Sequence, residues 1–271
     1  MSGSPIETDE RIHLIVIFGG ESAEHDVSCT TAAHVLAAAD PAKYRITPVG
    51  ISTDGRWAIA DHAVAALASG GGGLPAKLDP TGSGVSATPI LSAAFADPST
   101  TVVLPLLHGP MGEDGTIQGL IELANLPYVG TGVLGSAVAM DKAMAKQVVA
   151  AAGIPQARYR AFAEHEMTPS LATAIVDDLG LPVFVKPANM GSSVGVSKAS
   201  SVDELNAAID VALSYDELVV VEEAVAGKEI EVAVLGNNQP TAATPGEIVP
   251  GDNFYSYEDK YLTDGSYAVI P

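Results

Sequence analysis

Apolar and polar positions along the first part of the chain switch between two patterns. Residues 12–18, IHLIVIF, are apolar apart from His13 and have the length of a buried strand. Residues 25–39 have the spacing of a helix, and residues 44–51 have the pattern of a second strand. Strands that are apolar on both faces and alternate with helices are typical of a parallel sheet covered on both sides. The pattern predicts an α/β fold that begins with a βαβ unit.

The strand and helix patterns are interrupted over residues 63–98. This segment consists largely of Ala, Gly, Pro and Ser, a composition typical of flexible linkers. The regular pattern returns with a strand over 101–107 and a helix over 114–124, which Asp114 can cap. We therefore expect an N-terminal domain over residues 1–130 that carries a flexible insertion at 63–98.

The remainder of the chain predicts two further subdomains, 131–222 and 223–271. A helical stretch follows Gly130 and ends near Ala152, before Gly153 and Pro155. Ser201 and Glu204 have the spacing of a capping box at the start of another helix. The remaining predicted elements are a helix over 168–179 and strands over 158–162, 181–187, 217–223 and 229–236.

Composition excludes several classes of partner. Thirteen Lys and Arg against 33 Asp and Glu give 271 residues a formal net charge of −20. Such a charge repels nucleic acids and anionic membrane surfaces, and no stretch is apolar for long enough to span a bilayer. The first residues lack the features of a secretory signal, and the single Cys29 has the position of a buried helix residue. We expect a cytoplasmic protein that binds neither nucleic acid nor membrane.

A Gly- and Ser-rich segment, VFVKPANMGSSVGVSK at 183–198, is the strongest local signal for chemistry. A buried strand ends near Lys186, and Ser192 and Ser193 follow in a loop whose backbone N–H groups, hydroxyls and cation suit phosphate oxygens. The alternative is an ordinary β-hairpin in which Lys186 is solvated. The P-loop pattern G-x-x-x-x-G-K-[ST] does not occur in the sequence. A nicotinamide site is not indicated either, because GTGVLG at 130–135 lacks a long preceding strand and an acid about 20 residues further on.

Three separate segments decide between these alternatives. They are FGGESAEHDVSCTTA at 18–32, LLHGPMGEDGTIQGLIELANLPYVGTGVLGSAVAMDK at 106–142 and FYSYEDKYLTDG at 254–265. In this order and spacing they resemble the D-alanine–D-alanine ligases, a family of the ATP-grasp superfamily. Several motifs in consistent order are much harder to meet by chance than one short pattern.

The resemblance implies a fold and a reaction. The fold is a parallel-sheet α/β domain followed by an ATP-grasp fold that is incomplete at its C-terminal end. The reaction is the ligation of two D-alanine molecules for peptidoglycan precursors, in which ATP phosphorylates one carboxylate and a second amine displaces the phosphate. The resemblance also implies two Mg²⁺ ions and a homodimer.

The resemblance assigns a first set of residues to the substrate. Glu24 would hold the ammonium of the first D-alanine, and His108 would lie beside its carboxylate. Ser192 and Tyr261 would join Glu24 in a hydrogen-bonded set that closes the site, and Lys260 would act on the γ-phosphate side. Taken alone, Glu24 could merely favour a helix N-terminus, His108 could be structural and Tyr261 could anchor a surface loop. The implied catalytic residues are Glu24, Ser192, Tyr261 and Lys260.

The resemblance assigns a second set to the nucleotide. Lys142 and Lys186 would meet the α- and β-phosphates, Ser193 would add a hydroxyl, and Glu229 would accept ribose hydroxyl protons. Glu222 and Glu223 would form the segment that meets adenine and ribose. Related ligases often carry Lys at position 223, so the contact there is expected from the backbone. The full set is Lys142, Lys186, Ser193, Glu222, Glu223, Glu229 and Lys260.

Alternative functions remain open at this stage. They are a ligase that forms D-Ala–D-lactate or D-Ala–D-Ser, or a non-catalytic binding protein or inactive fragment of the same fold. Tyr261 favours an amine acceptor, since similar ligases that accept D-lactate tend to lose it. The family's Mg²⁺ ligands and an Arg are expected beyond Pro271, so we assign no metal ligand and expect residues 1–271 alone to form no dipeptide.

Overall fold

The computed structural model describes residues 10–70, 73–87, 100–251 and 265–270. The chain divides into two units, Met1–Met140 and Asp141–Pro271. The division between the units therefore lies ten residues beyond the first boundary predicted, at 130. No helix among the described residues is long and apolar enough to cross a membrane.

The first unit is built on a five-stranded sheet in the order β4-β3-β2-β1-β5. Strand β1 pairs in parallel with β2 and β5, whereas β3 and then β4 extend the sheet antiparallel beyond β2. Its elements are β1 (Ile12–Gly19), α1 (His25–Ala38), β2 (Tyr44–Ile51), β3 (Trp57–Ile59), α2 (Asp61–Ala68), β4 (Ser83–Gly84), β5 (Thr101–Pro105), α3 (Thr116–Leu123) and α4 (Val133–Met140).

Strand β1 is apolar on both faces because helices cover both faces. Side chains alternate along a strand, so Val16 and Phe18 pack with Leu36 of α1. Ile15 and Ile17 point to the other face, where they pack with a cluster that includes Ile121 of α3. The α/β prediction is confirmed in this unit.

Part of the segment expected to be a flexible insertion belongs to the core. The 63–98 segment contains most of α2, and Leu78 is 2% exposed among residues that pack against α1. The N–H of Leu78 donates to the carbonyl of Cys29 (3.2 Å). The Ala-, Gly-, Pro- and Ser-rich composition of the segment gave no sign that Leu78 would be buried. Residues 71–72 and 88–99 of the segment lie outside the described ranges.

His13 supplies a pH-dependent contribution to the stability of this sheet. It lies on β1 between Thr47 of β2 and Thr101 of β5, with Nε2 2.8 Å from the Thr47 hydroxyl. Burial, and then the charge of Arg45, lower its pKa below the ordinary 6.5. The unfolded chain therefore takes up a proton first as the pH falls.

We expect the contribution of His13 to the unfolding midpoint to be present in full above pH 6.5 and to be lost as the pH falls below it. The variant His13→Gln keeps a polar side chain between the two threonines but does not titrate. Thermal unfolding at a series of pH values between 7.5 and 5.5, about one unit on either side of the ordinary histidine pKa, measures the difference. Identical pH profiles for the two proteins would refute this role of His13.

The second unit is built on a four-stranded antiparallel sheet in the order β6-β9-β7-β8. Two helices, α6 and α7, cover one of its faces through a core that includes Val183, Val185 and Ile209. Its elements are α5 (Lys142–Ala151), β6 (Tyr159–Ala163), a 3₁₀ turn (Glu164–Glu166), α6 (Leu171–Leu179), β7 (Val183–Pro187), β8 (Ser197–Ala199), α7 (Val202–Leu213), β9 (Leu218–Glu223), β10 (Glu229–Glu231), β11 (Val234–Leu235), β12 (Thr241–Ala242), β13 (Gly246–Val249) and β14 (Tyr267–Val269).

Two predicted elements are each divided in the structure. The helical stretch after Gly130 breaks at Asp141, whose side chain accepts the N–H of Met144 (3.0 Å) and caps α5 as a separate helix. The strand predicted over 229–236 is two short strands, because β10 pairs with β13 whereas β11 pairs with β12. Ser201 caps α7 as predicted, since its hydroxyl accepts the N–H of Glu204 (3.2 Å). The return bond of the predicted capping box differs, because Glu204 accepts the N–H of Ser200 (2.8 Å) rather than that of Ser201.

Candidate active site

Two loops meet at one edge of the first sheet. β1 and β5 are parallel neighbours, with Ile17 opposite Pro105, so the loops that follow them leave from the same edge. The hydroxyl of Ser22, after β1, donates to the carbonyl of His108, after β5 (2.7 Å). In open α/β sheets this carboxyl edge is the usual place for a ligand.

Glu24 is held against the backbone of the second loop. Its side chain is 2% exposed, and its N–H donates to the Ser22 hydroxyl (3.2 Å). Gly109 has φ +73°, and a Cβ at that position would lie 2.7 Å from Oε2 of Glu24. Only glycine combines this conformation with such a close approach. The structure therefore brings Glu24 together with the loop that carries His108.

Neighbouring side chains fix the His108 loop in place. His108 Nε2 lies 3.3 Å from the Thr31 hydroxyl of α1. Glu113 accepts the N–H of Gly109 (2.8 Å), and Asp114 accepts the N–H groups of Met111 and Thr116. Burial opposes ionisation of Asp114, but these N–H donors outweigh it and keep its pKa below the ordinary value. Both acids support the loop backbone.

The second unit contains a cleft of about 580 Å³ on the sheet face that α6 and α7 do not cover. Side chains alternate along β7, so Val183 and Val185 enter the core while Phe184 and Lys186 face the cleft. Every described residue that the sequence assigned to the nucleotide lines this cleft, as does Ser192: Lys142, Lys186, Ser193, Glu222, Glu223 and Glu229.

Lys186 is ion-paired rather than solvated. Its Nζ lies 2.7 Å from Oε2 of Glu222, and Nζ of Lys146 lies 3.2 Å from Oε1 of the same carboxylate. Burial raises the pKa of Glu222, but the two lysines more than offset this and hold it below the ordinary value. The hairpin alternative is correct for the backbone, since β7 and β8 pair antiparallel, but wrong for the solvated lysine.

Lys142 and two serines shape the loop between β7 and β8. Nζ of Lys142 donates to the carbonyls of Ala188 and Met190, and burial, followed by the charge of Lys186, lowers its pKa. Ser192 and Ser193 have φ values of +47° and +61°. A non-glycine residue in this region costs about 1–3 kcal/mol, and such residues cluster at ligand clamps.

The carboxylates of Glu223 and Glu229 have different surroundings. The carboxylate of Glu223 pairs with Arg158, whose Nε lies 2.7 Å away, and it also accepts the backbone N–H of Arg158 (2.8 Å). The backbone contact expected at position 223 stays a prediction. Glu229 is exposed at the edge of the cleft, where a carboxylate could accept hydroxyl protons.

Lys260, Tyr261 and the implied Mg²⁺ ions are the remaining parts of the predicted site. Lys260 and Tyr261 lie in 252–264, outside the described residues. Among the residues that the structure describes, no group of three or more His, Cys, Asp or Glu could hold a metal ion. The described side chains therefore form no cluster that fits Mg²⁺.

Comparison with known proteins decides the family. Residues 13–131 match the family model described as D-ala D-ala ligase N-terminus, and residues 148–271 match D-ala D-ala ligase C-terminus. The chain belongs to the D-alanine–D-alanine ligase family. The resemblance inferred from the motifs is confirmed.

Individual ligases of this family are similar over most of the chain. D-alanine–D-alanine ligases from Bacillus pumilus and Deinococcus radiodurans are 44% and 46% identical, over 96% and 95% of this chain and 74% of each relative. Among solved structures, the D-Ala:D-Ser ligase VanG from Enterococcus faecalis has a TM-score of 0.74 at 32% identity, covering 95% of this chain and 76% of VanG. The chain thus spans about three quarters of the length of these ligases.

Sequence reasoning missed several residues of the ligase site. Lys146, Arg158 and Ser22 each hold a predicted residue in place, namely Glu222, Glu223 and His108. One signal was available for Lys146, which follows Lys142 by one helical turn and so shares its face of α5. The other two depend on contacts between segments distant in sequence.

Proposed function

We propose that this chain joins two D-alanine molecules into D-alanyl-D-alanine at the expense of ATP. The main support for this proposal is that the described residues predicted to bind the nucleotide line one cleft around the Lys186–Glu222 ion pair. The buried Glu24 beside the His108 loop adds a carboxylate that suits an ammonium group. ATP use follows from membership of the family, and the residues present fit a nucleotide.

The proposed chemistry has two steps. A carboxylate oxygen of the first D-alanine bonds to the γ-phosphorus of ATP and the bond to ADP breaks, which leaves an acyl phosphate. The amine of the second D-alanine then bonds to the acyl carbon, phosphate leaves, and the amine loses a proton. Mg²⁺ would offset charge on the transferring group.

The chain's own residues bind and orient. Lys142 and Lys186 offer cations to the phosphates, and the Ser192–Ser193 loop supplies hydroxyls and backbone N–H groups over them. Glu24 orients the first D-alanine through its ammonium, and Lys260 and Tyr261 would complete that site. A phosphate competes with Glu222 for Lys186, and when Lys186 turns to the phosphate, Lys146 is the cation that stays on the Glu222 carboxylate.

The names of the most similar relatives reported above support D-alanine as the second substrate. The curated ligases at 44% and 46% identity are named for D-alanine, whereas the D-Ala:D-Ser ligase structure is 32% identical. Tyr261 supports an amine acceptor over D-lactate by the family resemblance. By the same resemblance we infer a cytoplasmic homodimer.

Product analysis tests the proposed function. Residues 1–271 alone, and residues 1–271 joined to the remainder of the Bacillus pumilus relative, are incubated with ATP, Mg²⁺ and D-alanine, with D-serine and D-lactate as competing acceptors. We expect the joined protein to form ADP, phosphate and D-alanyl-D-alanine in equal amounts, and residues 1–271 alone serve as the comparison. ATP hydrolysis without dipeptide in the joined protein, or a preference for another acceptor, would refute the assignment.

A further inference from the structure

The carboxylate of Glu222 lies between two lysines that come from different elements. Lys186, on the neighbouring strand β7, contacts Oε2, and Lys146, on α5, contacts Oε1. The side chains of Lys146 and Glu222 are each 14% exposed, and Nζ of Lys146 also lies 4.9 Å from the ring centroid of Tyr159. Lys146 is thus more enclosed than Lys186, which is 24% exposed.

These two lysines differ in their access to a ligand. Lys186 lines the nucleotide cleft beside Ser192 and Ser193, whereas Lys146 is not among the residues that line it. A bound nucleotide brings about four negative charges, and the accessible lysine is the one that can turn toward them. A buried carboxylate that loses its only cation is costly to keep ionised. Glu222 has a second cation, so it can stay ionised when Lys186 leaves.

We propose that Lys146 is a positioning residue for recognition of the adenine base. It keeps the Glu222 carboxylate in place as a hydrogen-bond acceptor for the exocyclic amino group of adenine while Lys186 serves the phosphates. This inference rests on the proposed use of ATP. Guanine carries a carbonyl oxygen where adenine has the amino group, and two acceptors facing each other repel, so the same arrangement disfavours guanine nucleotides.

Two other roles for Lys146 predict different behaviour. A lysine that contacts phosphate would matter for ATP and not for adenosine. A lysine that only anchors α5 would matter for folding and equally for every nucleotide. The backbone of this turn of α5 is held independently of the Lys146 side chain, because the Lys146 carbonyl accepts from Gln156 Nε2 (2.8 Å).

The test measures the affinity of residues 1–271 for adenosine, ATP and GTP by titration calorimetry. Two neutral replacements, Lys146→Met and Lys146→Gln, are compared with the charged Lys146→Arg, and circular dichroism confirms that each variant folds. The control Lys198→Met removes the charge of an exposed side chain of β8 in the same unit.

We expect the neutral variants to bind adenosine and ATP about tenfold more weakly and to lose about tenfold of the ATP-over-GTP preference, the loss of one charge-assisted contact. Lys146→Arg should stay within about threefold of wild type, since it keeps the cation. The Lys198→Met control should match wild type.

Three results would overturn the inference. They are unchanged adenosine affinity in both neutral variants, a loss confined to ATP, and an unchanged ATP-over-GTP preference. If wild type binds no adenine nucleotide, both the inference and the proposed function fail. If wild type binds ATP and the neutral variants bind it equally well, only the inference fails.

Discussion

Replacing Lys186 by Met is expected to weaken ATP binding on the order of a hundredfold. The cation that faces the cleft would be lost, and with it one or two charge-assisted contacts to phosphate, each worth about 1.5–3 kcal/mol. Adenosine, which has no phosphate, should bind nearly as well as to wild type. Calorimetric titration of both ligands measures the difference.

Lys198→Met is the matched control for this prediction. Lys198 lies on β8, directly across from Phe184 of β7, but it does not line the nucleotide cleft. Loss of a general electrostatic attraction would weaken ATP binding in both variants alike. Equal ATP affinity in wild type and Lys186→Met would return Lys186 to a structural ion pair with Glu222.

Replacing Glu24 by Gln is expected to lower kcat/KM for the first D-alanine by about a hundredfold or more. The amide keeps the shape of the side chain beside Gly109 but removes the charge that faces the ammonium. Truncating one partner of a buried charged contact costs about 2–5 kcal/mol. The measurement is dipeptide formation by the joined protein as D-alanine is varied, and KM for ATP should change little.

Glu21→Gln removes a carboxylate from the same loop at an exposed position and serves as the control. We expect it to behave as wild type. If Glu24→Gln retains full kcat/KM, Glu24 would be a structural acid at the start of α1, and the ammonium would bind elsewhere.

The apolar pattern predicted the strands that carry the site. β1 begins at the predicted residue, and β5, β7 and β9 lie within their predicted ranges. Each is a short apolar run because at least one face of the strand packs into a core. Alternation along β7 also places Lys186 opposite the core. These features depend on residues close together in the sequence, and so they could be predicted.

Contacts between distant segments could not be predicted in this way. The antiparallel pairing that puts Phe184 opposite Glu222 is a tertiary property, and so are the second lysine on Glu222 and the engagement of Glu223 by Arg158. Burial of Leu78 inside a Gly-rich segment gave no periodic signal.

Cys29 follows its predicted role, since it is buried and burial raises the pKa of its thiol to about 11.

Photolabelling tests most directly the claim that ATP lies in the cleft of the second unit. Residues 1–271 are irradiated with an azidoadenine analogue of ATP, and the labelled peptides are mapped. We predict labels within residues 183–198 or 218–229, abolished by excess ATP and little affected by excess GTP, and greatly reduced in Lys186→Met. Labels spread over the first unit, or labels that excess ATP does not remove, would contradict the account.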